Sequence, residues 1–301
     1  MLDELAALDR NPTWILVPRE PDYNVVGCKW VFRVKRNSNG SVSRYKARLV
    51  VKGFKQRPDI DFHETFSPVV KTSTICIVLT IAISNGWMIN QLDVNNTFLH
   101  SFLSEDVFMA QPPGFIDPAR PNHVCKLVKS LYGLKQAPRA WFNELKNFIL
   151  SLGFMNSRSD ASLFVYSSKD TIAYILVYVD DLLITGNSNQ FVEYIIRALS
   201  NNVFVKDLGA ISYFLGIEAI HCHNGLFLSQ HKYVRDLLDK FDTAGAKEAT
   251  TPLSTFVSLS YSSSQPLQES KLYRSLIGGL QYLSLTRPDI GNHKKISSEM
   301  L

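Results

Sequence analysis

Residues 174–186 read Tyr174-Ile175-Leu176-Val177-Tyr178-Val179-Asp180-Asp181-Leu182-Leu183-Ile184-Thr185-Gly186. The two runs rich in Ile, Leu, Val and Tyr predict two strands, because these side chains favour a pleated, half-buried surface. The adjacent carboxylates of Asp180 and Asp181 fall where the chain must turn, so we predict a β-hairpin with charge at its tip. Two like charges held side by side repel each other, and carboxylate oxygens suit Mg²⁺ and Mn²⁺, so a divalent metal ion would neutralise them.

An Asp-Asp pair in a turn is usually explained by conformation alone, because Asp tolerates turn geometry. A third carboxylate favours a functional role for this pair instead. Residues 87–93 predict a strand that ends in Asp93, and Asn95 and Asn96 would cap a short helical stretch over residues 98–103. If the two strand ends lie side by side, the three acids could hold two metal ions about 3.5–4 Å apart, as in phosphoryl transfer.

The composition indicates a folded protein larger than one average domain. The chain has 301 residues, 46% of them hydrophobic, which is enough for a sizeable core. No apolar run reaches the roughly 18 residues that a membrane span needs, and no signal peptide opens the sequence, so we expect a soluble, intracellular protein. The four cysteines form no C-x-x-C pair, which argues against a zinc site and a disulfide framework.

The basic charge is concentrated in one segment. Ten Lys or Arg and no Asp or Glu fall between residues 29 and 57, in a chain with a net charge of +5. Residues 30–35 and 42–51 predict a hairpin with an Asn39-Gly40 turn, and period-two alternation puts Arg44, Lys46 and Arg48 on one face. A solvated strand is the ordinary alternative, but ordinary surfaces mix both signs of charge, so we favour contact with a nucleic-acid backbone or a triphosphate.

The remaining pattern predicts an α+β domain whose antiparallel sheet is covered by helices on one side. We expect loops between the short helical stretch that ends near residue 103 and Leu131, including residues 111–115, a Ser-rich loop over residues 254–264, and further regular elements on both sides of the central hairpin. The expected helices begin near Thr72, Pro138, Asn189, Ser229 and Tyr273, and the expected strands are residues 164–166 and a second hairpin over residues 213–218 and 226–228.

An ordered series of motifs resembles the reverse transcriptase domain of copia-type LTR retrotransposons. The series covers nearly the whole chain, which makes the resemblance specific. Its segments are Lys29-Trp30-Val31-Phe32, Tyr45-Lys46-Ala47-Arg48-Leu49-Val50, Glu64 to Val70, Gln91-Leu92-Asp93-Val94, Gln111 to Phe115, Leu131 to Pro138, Tyr178-Val179-Asp180-Asp181, Asp207-Leu208-Gly209, Tyr213 to Ile217 and Thr286-Arg287-Pro288-Asp289.

The resemblance implies a right-hand polymerase fold with fingers, palm and thumb. It implies a lead-in (1–23), fingers (24–70 and 101–140), palm (71–100 and 141–228) and a thumb (229–301) truncated before the RNase H domain that usually follows. It also implies a location in the cytoplasm, within the virus-like particle of the parent element, or in the nucleus.

The same resemblance implies roles for individual residues. Asp93, Asp180 and Asp181 would be the catalytic carboxylates that hold Mg²⁺ or Mn²⁺, with Asp181 facing partly away from the metals because neighbours on an extended chain alternate. Phe98 would exclude a 2′-hydroxyl, unless it is simply a core phenylalanine. The other implied contacts are Gln136, Lys46 and Arg48 to the incoming nucleotide, and Tyr178, Phe214, Leu215 and Gly216 to the primer.

Three functions are consistent with these sequence features. The first is an RNA-directed DNA polymerase that acts on a primed RNA or DNA template with deoxynucleoside triphosphates. The second is a nucleic-acid-binding remnant with weakened or lost activity, motivated by Cys76 and Ser101, which replace the family's usual Arg and Gly, and by the truncated end. The third is a metal-dependent nuclease with water as its nucleophile.

Overall fold

A computed structural model describes residues 1–36, 41–94, 97–203, 205–223, 225–247 and 270–287. The chain forms two compact units, Met1–Ala210 and Ile211–Leu301. The predicted Asn39-Gly40 turn, the Asn95 and Asn96 caps and the Ser-rich loop lie outside the described residues. Within the described part, no helix has the length and apolar character needed to cross a membrane.

Among its described residues, the first unit contains four α-helices and twelve strands. The helices are α1 (Leu2–Arg10), α2 (Thr72–Ser84), α3 (Ala137–Ser151) and α4 (Asn189–Val203). The strands are β1 (Trp14–Pro18), β2 (Val25–Val26), β3 (Cys28–Arg36), β4 (Val42–Val51), β5 (Ile89–Val94), β6 (Phe102–Met109), β7 (His123–Lys129), β8 (Met155–Asn156), β9 (Leu163–Ser167), β10 (Ile172–Tyr178), β11 (Asp181–Gly186) and β12 (Val205–Ala210).

A six-stranded antiparallel sheet carries the predicted acidic hairpin. Its strand order is β12-β5-β11-β10-β9-β8. One face packs against α3 and α4, because alternate apolar side chains of the strands meet the apolar stripes of these two helices. The buried cluster includes Leu92, Trp141, Leu145, Ile175, Leu182, Ile184, Ile195 and Leu199. The predicted antiparallel sheet with helices on one side is therefore confirmed.

A second sheet corrects the prediction of loops between residue 103 and Leu131. This four-stranded sheet has the order β1-β7-β6-β2, and β6 and β7 are its central strands. The short helical stretch also ends earlier than predicted: a 3-10 helix spans Thr97–His100, and Phe102 already belongs to β6. Pro112, Pro113 and Gly114 between the strands indicated a loop, whereas burial of Val107 and Met109 in the core needs the partner strands that sequence alone does not name.

The basic hairpin is confirmed, and it is fixed at its base. β3 and β4 pair from Cys28 opposite Val51 to Arg36 opposite Val42. The Val51 N–H donates to the Tyr132 carbonyl (2.7 Å). Gly133 has φ +91°, and an added Cβ there would lie 2.2 Å from the Val51 carbonyl oxygen. Only glycine allows this close approach of the two backbones.

The second unit consists of a three-stranded sheet and two helices among the described residues. These are β13 (Tyr213–Phe214), β14 (Ile217–Cys222), β15 (Gly225–Ser229), α5 (His231–Lys240) and α6 (Ser270–Tyr282). The strand predicted over residues 213–218 is interrupted, because Leu215 (φ +49°) and Gly216 (φ +71°) form a turn between β13 and β14. Both predicted helices of this region are present.

Candidate active site

Two of the three predicted acids lie directly opposite each other. Asp93 on β5 pairs with Asp181 on β11, Lys206 on β12 pairs with Asp93, and Tyr178 on β10 pairs with Asp181. Directly opposed residues of antiparallel strands project from the same face of a sheet. Lys206, Asp93, Asp181 and Tyr178 therefore form one row across four strands.

Asp180 lies in the turn that precedes this row. Its carbonyl accepts a hydrogen bond from the Val94 N–H (2.8 Å), which ties the turn to the end of β5. The sequence predicted that Asp181 faces partly away from the metal ions because it alternates with Asp180 on an extended chain, but Asp180 is a turn residue and that alternation does not include it. The register makes Asp181, on the same face, the direct neighbour of Asp93.

The electrostatics of this row suit a cation. Burial, followed by the charges of Asp180 and Asp93, raises the pKa of Asp181 to about 6, although a hydrogen bond with Gln91 acts in the opposite direction. A divalent metal ion would offset both the burial of the Asp181 charge and its repulsion by Asp180 and Asp93, because it replaces lost hydration and neutralises negative charge. The donor set fits Mg²⁺ or Mn²⁺ in its chemistry. Among the described residues, however, no three His, Cys, Asp or Glu side chains are already gathered into a metal site.

Three side chains contact one another in series near the acids: Phe98 contacts Tyr132, and Tyr132 contacts Arg48. The rings of Phe98 and Tyr132 meet edge to face with centroids 4.9 Å apart, and the Arg48 Cζ lies 4.4 Å from the Tyr132 ring centroid. Burial raises the pKa of Tyr132, Arg48 counteracts the rise, and Asp180 and Asp93 add to it. The Tyr132 ring is thus within electrostatic range of both acids. Phe98 is half-buried and contacts both core clusters.

Lys46 and Arg48 share an acidic neighbour from α1. Burial raises the pKa of Glu4, while a hydrogen bond from the Leu49 backbone and the charges of Lys46 and Arg48 oppose the rise. The Arg48 Nε is buried and has no hydrogen-bond partner. An unsatisfied buried donor is costly, so this atom is suited to a ligand oxygen.

Gln136 lies in the interior, with only 1% of its surface exposed. Its Nε2 donates to the Asp61 carbonyl (2.9 Å), and its Oε1 accepts from Gln56 Nε2 (3.0 Å). Gln56 Oε1 in turn accepts from the Lys135 N–H (2.9 Å). Both ends of the Gln136 amide are engaged within the protein, so in this structure it joins the segment after β4 to the start of α3.

The predicted primer contacts fall in both compact units. Tyr178 ends β10 in the first unit, while Phe214, Leu215 and Gly216 lie in the second. Phe214 is 2% exposed, and the Leu215 carbonyl accepts from the Tyr282 hydroxyl (2.5 Å). The turn at Leu215 is therefore supported from α6.

Sequence reasoning missed Glu4, Gln56, Asp61 and the ring contacts of Tyr132. Tyr132 is within the matched segment 131–138, but nothing in its spacing indicated a contact with Phe98 or Arg48. Glu4 had no signal beyond an isolated acid on a predicted helix. These contacts join distant parts of the sequence, and only the folded chain brings them together.

Comparison with known proteins identifies the family. A model described as reverse transcriptase (RNA-dependent DNA polymerase) matches residues 11–255, well over half of the chain. The chain therefore belongs to the reverse transcriptase family.

The relatives narrow this assignment. The chain is 53% identical over 291 residues to the retrovirus-related Pol polyprotein from transposon RE1 of Arabidopsis thaliana. The aligned region covers 96% of this chain and 20% of that protein. It is 39% identical over 311 residues to the retrovirus-related Pol polyprotein from transposon TNT 1-94 of Nicotiana tabacum. The aligned region covers 100% of this chain and 23% of that protein. The predicted resemblance to copia-type retrotransposon reverse transcriptases is confirmed. The chain spans about a fifth of the length of these relatives.

A solved telomerase from Candida albicans, in complex with a fragment of telomeric RNA, shows a more distant similarity. Its TM-score is 0.42 at 9% identity, covering 97% of this chain and 58% of that chain. The family assignment rests on the sequence comparisons.

Proposed function

We propose that this chain is the RNA-directed DNA polymerase of a retrotransposon polyprotein and extends a primer 3′-hydroxyl along an RNA or DNA template. The observation that carries the proposal is the register of β5 and β11, which sets Asp93 directly opposite Asp181, with Asp180 in the adjoining turn. Three acids from two distant segments of the chain are rarely placed at one sheet end for structural reasons, because their mutual repulsion is unfavourable without a cation.

Asp93, Asp180 and Asp181 would hold the divalent metal ions. When bound, Mg²⁺ or Mn²⁺ lowers the pKa of the primer hydroxyl and neutralises charge on the triphosphate and the departing pyrophosphate. The carboxylates orient the ions, and the rigid ends of β5 and β11 fix the carboxylates.

Arg48 and Lys46 would bind the phosphates of the incoming nucleotide. The buried, unpartnered Nε of Arg48 supports this role, because a phosphate oxygen would satisfy it with a charge-assisted hydrogen bond. Phe98, held against the Tyr132 ring, would restrict the space for a 2′-hydroxyl and so select deoxynucleotides. Gln136 would act through its buried hydrogen bonds, which hold the start of α3, or would contact the nucleotide after these bonds exchange.

We also propose the fingers, palm and thumb assignment given by the family resemblance. The two-stranded hairpin β3-β4 supports a fingers role for residues 24–70, and the six-stranded sheet supports a palm role for the segments that hold the acids. Tyr178 and the Phe214-Leu215-Gly216 turn are the residues that we propose for contact with the primer.

Primer extension tests the proposal. The purified chain should elongate a DNA primer on an RNA template when Mg²⁺ or Mn²⁺ is present and stop when the metal is chelated. Asp93→Asn and Asp180→Asn should each abolish elongation. Asp170→Asn serves as the matched control, since Asp170 is an exposed acid near the turn between β9 and β10. Elongation that survives both active-site changes would refute the mechanism.

The second candidate function is nucleic-acid binding without catalysis. Cys76, which stands where the family usually has Arg, motivates it. Its signature would be salt-sensitive binding to a primed template with no nucleotide incorporation, because phosphate contacts do not require the metal chemistry. A nuclease would instead shorten the labelled strand.

A further inference from the structure

The turn that carries Asp180 contains a backbone conformation that its residue type disfavours. Val179 has φ +53°, in the left-handed region. A β-branched side chain is strained there, because Cβ crowds the backbone and the branched side chain has few alternative positions. Such strain persists only where the surroundings hold it in place.

One side chain provides that support. The Trp141 Nε1 donates a hydrogen bond to the Val179 carbonyl at 2.6 Å. Trp141 belongs to α3, is 1% exposed, and packs in the core between α3 and the sheet. The indole N–H can only donate, and Trp141 itself is buried, so the Val179 carbonyl satisfies a donor that would be costly to leave unpaired.

We propose that Trp141 is a positioning residue that holds Val179 in its left-handed conformation and thereby sets the direction of the Asp180 carboxylate. The proposal rests on the polymerase function proposed above. The turn is held at two successive carbonyls: Val179 accepts from Trp141, and Asp180 accepts from the Val94 N–H. These two bonds fix the peptide planes on both sides of the Asp180 Cα, and so fix where its side chain points relative to Asp93.

The alternative is that the bond merely satisfies a buried indole N–H and stabilises the core. The two roles differ in their dependence on residue 179. Glycine adopts positive φ without strain, so Val179→Gly removes the need for an external restraint. If Trp141 acts on the turn, the effect of losing its N–H must depend on whether residue 179 is Val or Gly.

The kinetic test is a double-mutant cycle with Trp141→Phe and Val179→Gly. Trp141→Phe should lower kcat roughly tenfold or more, because a small displacement of a catalytic group is enough for such a loss. The KM for the nucleotide and the Kd for the primed template should change by less than about twofold. In the Val179→Gly background the same change should lower kcat by no more than about threefold. An equal loss of kcat in both backgrounds would overturn the proposal.

A second substitution separates the N–H from the ring volume. Replacing Trp141 by its isostere benzothienylalanine keeps a bicyclic ring and removes only the donor. It should reproduce the kinetic effect of Trp141→Phe. The same replacement at Trp87, which stacks near Tyr174 of the same sheet (centroids 6.3 Å apart), is the matched control and should leave kcat unchanged. Full activity of the Trp141 isostere would refute a role for the N–H.

A readout that needs no activity keeps this inference separate from the proposed function. Amide hydrogen exchange in a peptide spanning residues 178–182 should become at least about fivefold faster in the Trp141 isostere, with little change in peptides from β9 or α4. Unchanged exchange in that peptide would contradict the proposal, whatever the protein catalyses. If the wild-type chain fails to extend primers, but the Trp141 isostere still exchanges faster in this peptide, only the polymerase function is refuted.

Discussion

At the scale of single residues, Asp181 combines a predicted functional role with a cost to stability. Its carboxylate is half-buried opposite Asp93 and close to Asp180, and burial followed by these two charges raises its pKa from 3.8 to about 6. In the metal-free protein the ionised form is therefore destabilised relative to the unfolded chain. Residues that serve a site at the expense of stability are common in enzymes.

This gives a pH-dependent prediction. Because the folded-state pKa lies above the unfolded value, the metal-free wild type should lose stability as pH rises from about 4 to about 6. Asp181→Asn removes the charge, so at pH 7 in EDTA it should melt at a higher temperature than the wild type. The difference should shrink as pH falls through this range and vanish below about 4, where Asp181 becomes protonated in both the folded and the unfolded state. Thermal unfolding across this pH range measures the effect.

Metal addition provides the control for the same variant. Mg²⁺ or Mn²⁺ should raise the melting temperature of the wild type more than that of Asp181→Asn, because a ligand that binds only the folded state stabilises it. A variant less stable than the wild type at pH 7 without metal would contradict the interpretation of the Asp181 environment.

At the scale of secondary-structure elements, α2 depends on a cap from a distant loop. Its N-cap residue Lys71 offers no side-chain cap. Asp160, which precedes β9, accepts hydrogen bonds from the Lys71 N–H (2.9 Å), the Thr74 hydroxyl (2.6 Å) and the Ser162 N–H (2.9 Å). These bonds satisfy donors at the helix start that would otherwise be unpaired, and a negative charge there is favourable for the helix dipole.

Removing this cap should destabilise the fold. Asp160→Ala should lower the free energy of unfolding by about 1–3 kcal/mol, since it leaves buried donors unsatisfied. Burial of Asp160 opposes ionisation, but hydrogen bonds from Thr74, Lys71 and Ser162 outweigh it and lower the pKa below 3.8. The contribution of the carboxylate is therefore present above the unfolded pKa and lost as pH falls through the folded one.

Urea denaturation at pH 7 and near pH 3 tests this prediction. The gap between wild type and Asp160→Ala should be smaller at the lower pH. Asp170→Ala removes an exposed acid nearby in the sequence and should change the free energy of unfolding by less than about 0.5 kcal/mol. A comparable loss in both variants would show that Asp160 is not a specific cap.

At the scale of the whole molecule, the charge is divided unequally along the chain. The net charge of +5 includes ten Lys or Arg and no acid between residues 29 and 57. The register of β3 and β4 puts Arg33 opposite Lys46 and Val31 opposite Arg48, so Arg33, Arg44, Lys46 and Arg48 share one face of the hairpin. Glu4 is an acidic neighbour of Lys46 and Arg48, but the face is predominantly basic, and such a surface attracts phosphate and makes binding depend on salt.

The salt dependence of nucleic-acid binding tests whether the basic face of the β3-β4 hairpin contacts phosphates. Arg33→Gln should reduce the slope of log K against log salt concentration by about 1 if Arg33 contacts one phosphate. Arg197→Gln on α4 changes the net charge equally, and Arg197 is exposed and paired with Glu193 (3.2 Å). This control should leave the slope unchanged. Equal slopes for both variants would indicate that net charge, and not the hairpin, drives binding.

The sequence by itself determined the elements with strong local patterns. Short runs of β-favouring apolar residues predicted the hairpin that carries Asp180 and Asp181, and strand patterns likewise predicted the strand that ends near Asp93 and the basic hairpin. Apolar spacing predicted α2, α3 and α4, and glycine stops marked the ends of α2 and α3. These signals are local, because the side-chain periods of strands and helices are written into a few successive residues. The motif series was also sufficient for the family.

Only the tertiary structure decided which distant residues meet. It set Asp181 rather than Asp180 opposite Asp93, buried Gln136 between Gln56 and the Asp61 carbonyl, and brought Trp141 to Val179. It also paired β6 with β7, where the sequence indicated only loops. Register and partner choice depend on how the whole chain packs, and no local period in a single sequence specifies them.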